Sequence, residues 1–189
     1  MNDKKIVIGI AGTIGAGKGT VTQYTVDKYN ATQMRYSKIL QDILERLSLD
    51  YDRKNLAILA ESLRHTFGGA VLSRALLADI AKDESTVVVF EGIRKKDELD
   101  HLRTLDNFYF LYVDAEMETR YRRLIQRNEK MDDQVKSFDD FKKDHLRPAD
   151  KDVPLLMEEA DFIVDNNSST EDAQKQVDVI MAQITNSDA

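Results

Sequence analysis

The residues best equipped for chemistry are clustered in Gly12-Thr13-Ile14-Gly15-Ala16-Gly17-Lys18-Gly19-Thr20. Glycines at 12, 15, 17 and 19 allow a loop to curl until its backbone N–H groups converge, and Lys18 adds a full positive charge that can reach outer phosphates. The pattern is a polyphosphate cradle, formed by Gly12, Gly15, Ala16, Gly17, Lys18, Gly19 and Thr20. A Ser or Thr directly after the lysine ordinarily reaches Mg2+; here Gly19 holds that place and Thr20 follows, so the metal role shifts to Thr20. A dinucleotide loop of the G-x-G-x-x-G kind would need glycine at position 20, which is threonine.

A second group is Glu91-Gly92-Ile93-Arg94. Glu91 stands where a strand should end, the place at which ligands sit in an open parallel sheet, and could hold Mg2+ through water. Alternatively it caps, or forms a salt bridge with, a helix starting near Lys95. A third group lies on a helix expected from about Glu116 to Lys130. Glu116 and Arg120, like Glu118 and Arg122, are four apart and can pair along the helix. Arg123 and Arg127 have no such partner. Two like charges at that spacing disfavour the helix by about a few tenths of a kcal/mol unless an anion lies against them. Forked guanidinium donors suit a transferred phosphoryl group, which makes the two arginines catalytic candidates beside Lys18 and Glu91. A solvated arginine face is the other option.

These groups need elements to position them. Ile6 to Ala11 reads as a strand buried on both faces, followed by the loop and a helix ending near Asn30. A weaker strand spans roughly Thr32 to Tyr36. Ser37 is the expected N-cap of a helix burying Ile39, Leu40, Ile43, Leu44 and Leu47. Further helices run from Leu56 to Thr66 and from Ala70 to Lys82, a helical excursion between strands. Thr86 to Phe90, Phe108 to Val113 and Asp161 to Val164 are strands. The charged stretch Asp132 to Lys151, anchored by Phe138 and Phe141, reads as a short helix and turn. A helical turn or two covers Val153 to Ala160, and an amphipathic helix opening at Thr170 buries Val177, Ile180, Met181 and Ile184.

Composition narrows the partners. The 189 residues suit one domain with a real core. A net charge of -7 argues against a nucleic-acid or acidic-membrane face, so local arginines must hold any anion. With no cysteine, neither a disulfide nor a Cys-ligated zinc can staple the fold. His65, His101 and His145 lack ligand spacing and read as surface or lightly packed. No apolar leader and no spanning run are visible, which fits a cytoplasmic protein.

The motif GTIGAGKGT, with LRHTFGG at 63 to 69, EGIR at 91 to 94, RRLIQR at 122 to 127 and ADFIVDNNSS at 160 to 169, resembles nucleotide kinases of the adenylate kinase and dephospho-CoA kinase type over nearly the full chain. The resemblance implies a three-layer α/β P-loop kinase fold with a parallel five-stranded sheet, order 2-3-1-4-5, and helices on both faces. It also implies one domain over 1–189, with an acceptor-binding helical insert at about 37–82 and a short lid at about 127–150. ATP and Mg2+ are the implied cofactors, and a small-molecule nucleotide is the implied acceptor, bound by a monomer or homodimer without nucleic acid or membrane. Arg64 and Arg94 match positions that grip the acceptor's phosphate, and Ser37 begins the acceptor-side helix. Arg123 and Arg127 match lid arginines, and Asn166 to Ser168 match the turn beside the ATP base.

Two departures shape the expected activity. Dephospho-CoA kinases carry Ser-Thr after the loop lysine and an aspartate after the second strand, where this chain has Gly19-Thr20 and Tyr36-Ser37. A ribose hydroxyl profits from such a base, whereas a nucleotide phosphate is already an anion. The expectation is therefore ATP-dependent phosphoryl transfer to a nucleotide acceptor, foremost a (deoxy)nucleoside monophosphate. The alternatives are a dephospho-CoA kinase and a nucleotide-binding regulatory ATPase without an acceptor. Arg74 and Arg147 could face either substrate or water.

Overall fold

A computed structural model describes residues 5–127, 137–147 and 150–187, apart from the side chains of residues 53, 127 and 187. Five strands, β1 (Ile6–Ala11), β2 (Thr32–Arg35), β3 (Val87–Glu91), β4 (Phe108–Asp114) and β5 (Phe162–Asp165), form one parallel sheet in the order β2-β3-β1-β4-β5. The central strands read as unbroken β-branched and aromatic runs because both faces are covered. Their alternation splits the interior in two. Val7, Val88, Phe90, Phe108 and Phe110 point to one face, while Ile6, Ile8, Ile10, Val89 and Leu111 point to the other.

The first face is covered by the helical excursion α2 (Tyr36–Arg46), α3 (Arg53–Phe67) and α4 (Val71–Lys82), with α5 (Lys96–Leu102). The second is covered by α1 (Lys18–Tyr29) and α8 (Thr170–Ser187). These two helices are tied together at Asp178, which accepts from Tyr24 Oη at 2.9 Å, Tyr29 Oη at 2.7 Å and Lys28 Nζ at 2.7 Å. The final elements are α6 (Met117–Arg127), which follows β4, then α7 (Phe138–Asp144), and a 3-10 helix over Val153–Glu159 with Pro154 in its first turn.

Local chemistry moves some boundaries. The second helix starts at Tyr36 on an Arg35 cap, so Ser37 lies inside its first turn and is not the N-cap. Burial decides this: Tyr36 is 4% exposed and meets Phe90 edge-on with ring centres 6.1 Å apart. Residues 153–159 form a 3-10 rather than an α-helix. Residues 128–136 and 148–149, which make up much of the expected lid, lie outside the described residues, as does the Arg127 side chain.

Candidate phosphate site and acceptor cleft

The glycine loop leaves β1 at the carboxyl end of the sheet, between β3 and β4. Gly17 is the residue on which α1 starts, with φ 97° and ψ 20°, a left-handed conformation that strains any other residue. A Cβ there would also fall 2.1 Å from Asn166 Nδ2. That amide is buried and donates to the Ala16 carbonyl at 2.7 Å. Asn166, expected beside the base, thus shapes the loop from beneath, while Ser168 is exposed. Lys18 Nζ lies back over the curl, donating to Gly12 O at 2.8 Å and Thr13 O at 3.0 Å. The first turn of α1 has no acidic side chain, so its N-terminal partial charge faces the loop undiminished. Gly19 and Thr20 are exposed in that turn, and the Thr13 hydroxyl is buried without a hydrogen-bond partner among the described residues.

Helix α6 forms the wall next to this cradle. Arg120, expected to pair with Glu116, instead turns inward at 6% exposure. Its Nε donates to Ala115 O at 2.8 Å and its Nη1 to Ile14 O in the loop at 3.3 Å. Nη1 also meets His145 Nε2, and the guanidinium lies 5.8 Å from the Phe141 ring centre. Gly15 lets this wall approach, since a Cβ at that position would come within 2.7 Å of Arg120 O. Burial lowers the Arg120 pKa from its ordinary value. His145, expected to be surface or lightly packed, is half-buried: its Nδ1 bonds Phe141 O at 2.8 Å and its ring stands edge-on to Phe141. Burial lowers its pKa, and the charge of Arg120 pushes the same way. One turn along α6, Arg123 carries a buried Nη1 with no hydrogen-bond partner among the described residues. Arg122 turns to Thr119 Oγ1 at 3.2 Å, not to Glu118.

On the other side of β1 lie β3, α2, α3 and α5. Glu91 is in register with Ile10, one position before the strand end that leads into the loop. It accepts from Gln33 Nε2 at 3.2 Å and sits 3.8 Å from Arg35 Nη2. It does not cap α5. Glu98, in the first turn of α5, is a residue that the sequence did not single out, and its side chain is fully buried. Arg64 donates to Glu98 through Nε at 3.1 Å and Nη2 at 2.6 Å, and the Arg94 backbone N–H donates to the same carboxylate at 3.0 Å. The Arg94 side chain reaches Asp150 at 2.7 Å. Ser37 lines a groove of about 450 Å³ with Arg35, Lys38 and Tyr51. Arg74 bonds Phe67 O at 2.8 Å and Arg147 pairs with Asp144 at 2.5 Å, both from exposed positions.

Among the described residues no group of three or more acidic or histidine side chains could by itself cage a metal. Magnesium takes few protein ligands when phosphates and water supply the rest.

The parallel 2-3-1-4-5 sheet, the glycine cradle at the mouth of its central strand and the helices on both faces define the P-loop kinase fold. A shikimate kinase from Bacteroides thetaiotaomicron superposes with a TM-score of 0.62 at 18% identity, over 95% of this chain and 98% of that one. A gluconokinase from Sinorhizobium meliloti does so at 0.61 and 10% identity, over 96% and 94%. The chain belongs to the AAA_18 family, an AAA domain whose model matches residues 8–145. A UPF0200 protein of Methanocaldococcus jannaschii is 27% identical over 183 residues, covering 96% of this chain and 91% of that protein. No helix among the described residues is long and apolar enough to cross a membrane.

Proposed function

We propose that this protein is an ATP-dependent phosphotransferase acting on a nucleotide, with a (deoxy)nucleoside monophosphate as the favoured acceptor. The whole chain, 1–189, would work as one domain, with the acceptor entering against the insert 37–82 and the lid, 127–150, closing over the phosphates. The observation that supports this reading is a preformed anion cradle with one unsatisfied donor beside it. Lys18 lies over the curl of the loop, and a buried Nη1 of Arg123, one turn from the Arg120 contact with the loop, has no hydrogen-bond partner among the described residues. An unpaired buried donor costs about 1–3 kcal/mol, which an arriving phosphate oxygen would offset.

The chain's contribution is positioning and charge neutralisation. Loop N–H groups and Lys18 would hold the β- and γ-phosphates, with Asn166 fixing the shape of the loop and Ser168 beside the base. Arg123 and Arg127 would close on the transferring group from the lid side. Arg64 and Arg94 would hold the acceptor's phosphate, with Ser37 alongside. Thr20 and Glu91 would hold Mg2+, which when bound neutralises charge on the phosphates. A phosphate acceptor is already an anion and needs no general base, which favours it over the hydroxyl acceptor of a dephospho-CoA kinase.

A second reading, a nucleotide-driven switch read by a protein partner, draws on exposed Leu47, Leu49, Tyr51, Ile58 and Phe67 around the helical excursion. Incubating the protein with ATP and a panel of AMP, CMP, GMP, UMP, dTMP and dephospho-CoA separates the readings. A monophosphate converted well above the ATP hydrolysis background supports the kinase, whereas ATP binding with no acceptor turnover favours the switch. Lys18→Ala is expected to abolish turnover while the protein still melts cooperatively; undiminished turnover refutes the assignment.

A further inference from the structure

The carboxylate of Glu98 is sealed from solvent, a setting in which a charge persists when it is paired and its lone pairs are taken. Both oxygens are taken. Oε1 accepts two N–H groups of Arg64, at 3.1 and 2.6 Å, and Oε2 accepts the backbone N–H of Arg94 at 3.0 Å. The surrounding shell is also bonded: the Glu98 carbonyl takes Ser73 Oγ at 3.2 Å, and that hydroxyl meets Tyr36 Oη at 2.9 Å. One side chain on α5 therefore fixes the plane of one guanidinium from α3 and the backbone where the turn after β3 releases a second arginine.

Two of the five guanidinium N–H groups of Arg64 are spent on Glu98, and three remain for another anion. A buried ion pair contributes little net stability compared with apolar packing, so a fixed direction for the charge is what this arrangement adds. We propose that Glu98 is the positioning residue of the acceptor site, holding the Arg64 guanidinium preset for the phosphate monoester of the incoming acceptor, whereas the Arg94 side chain is held elsewhere, by Asp150. It acts through Arg64 and does not touch the acceptor. This inference rests on the assignment of Arg64 to acceptor binding, and it adds that the geometry of Arg64 exists before the acceptor arrives, which lowers the cost of binding.

Glu98→Gln tests it. The carboxamide keeps the size of the side chain but places an NH2 where one accepting oxygen stood, so Arg64 and the Arg94 N–H cannot both be served. Loss of one charge-assisted bond should raise KM for the phosphorylated member of the nucleotide panel about tenfold or more, while KM for ATP stays within about twofold. In an Arg64→Ala background the same change should add less than about twofold, because its route is gone. If Glu98→Gln does not melt cooperatively, Glu98→Asp, too short to reach both partners, should show the same split. An unmoved acceptor KM, equal shifts in both KM values, or an undiminished effect in the Arg64→Ala background each overturns the inference and leaves the kinase assignment standing. A wild-type protein that neither phosphorylates nor, by calorimetry, binds any panel member overturns both.

Discussion

Gly17→Ala isolates the junction on which the cradle depends. The added methyl carries two penalties that can be separately relieved. Holding a non-glycine residue at φ 97° costs about 1–2 kcal/mol, whatever its surroundings. In addition, the Cβ would lie 2.1 Å from Asn166 Nδ2, so the amide must leave its 2.7 Å bond to Ala16 O and strand a buried carbonyl at about 1–3 kcal/mol. Together these give about 2–5 kcal/mol, or roughly 4–20 °C off Tm for a chain of this size. Differential scanning calorimetry of Gly17→Ala, Asn166→Ala and the double variant tests the account. Asn166→Ala alone also strands Ala16 O, but in the double variant the clash is absent and the carbonyl is lost once. The double variant should therefore be about 1 kcal/mol or more better than the sum of the singles. A Gly17→Ala protein that melts within about 2 °C of wild type, or strictly additive losses, would refute the reasoning.

Arg123→Met should leave Tm unchanged or raise it slightly, by removing a buried donor without a partner among the described residues, while the proposed phosphoryl transfer falls about a hundredfold or more; a turnover assay beside a thermal melt checks both. His145 sets a pH dependence. Its folded pKa lies below the ordinary 6.5, so the unfolded chain takes the proton first as pH falls. The resulting stability is complete above about pH 6.5 and is lost progressively on acidification below it, beside Arg120, Asp144 and Asp150. His145→Gln, which can still accept from Arg120, should flatten the part of the Tm fall between pH 7.5 and 5.5 that belongs to this residue; identical slopes would show that His145 is not its source.

The sheet was legible because its signals are local. Runs such as Val87 to Phe90 and Phe108 to Val113 are apolar without alternation, which a strand covered on both faces requires. The phosphate loop was legible for the same reason. Arg120 was misread because a nearby partner, Glu116, satisfied the spacing rule, whereas the folded chain offers it the carbonyls of Ala115 and Ile14, the latter 106 positions away. Glu98 was hidden in the charged run Lys95-Lys96-Asp97-Glu98. Its signal was its place three residues after the cap of a short helix, where a carboxylate can reach back to a free N–H, but its pairing with Arg64 is tertiary. Tyr36 ended a strand in the sequence and opens a helix in the fold because its ring is drawn under Phe90.

The hydrogen bond from Asn166 to Ala16 spans 150 positions, and the Asp178 tie between α1 and α8 spans a similar distance. On the ribosome the glycine curl emerges early but waits for some 150 further residues before its floor is laid. A nascent polypeptide that still lacks β5 and the turn after it should thus hold the curl without that floor.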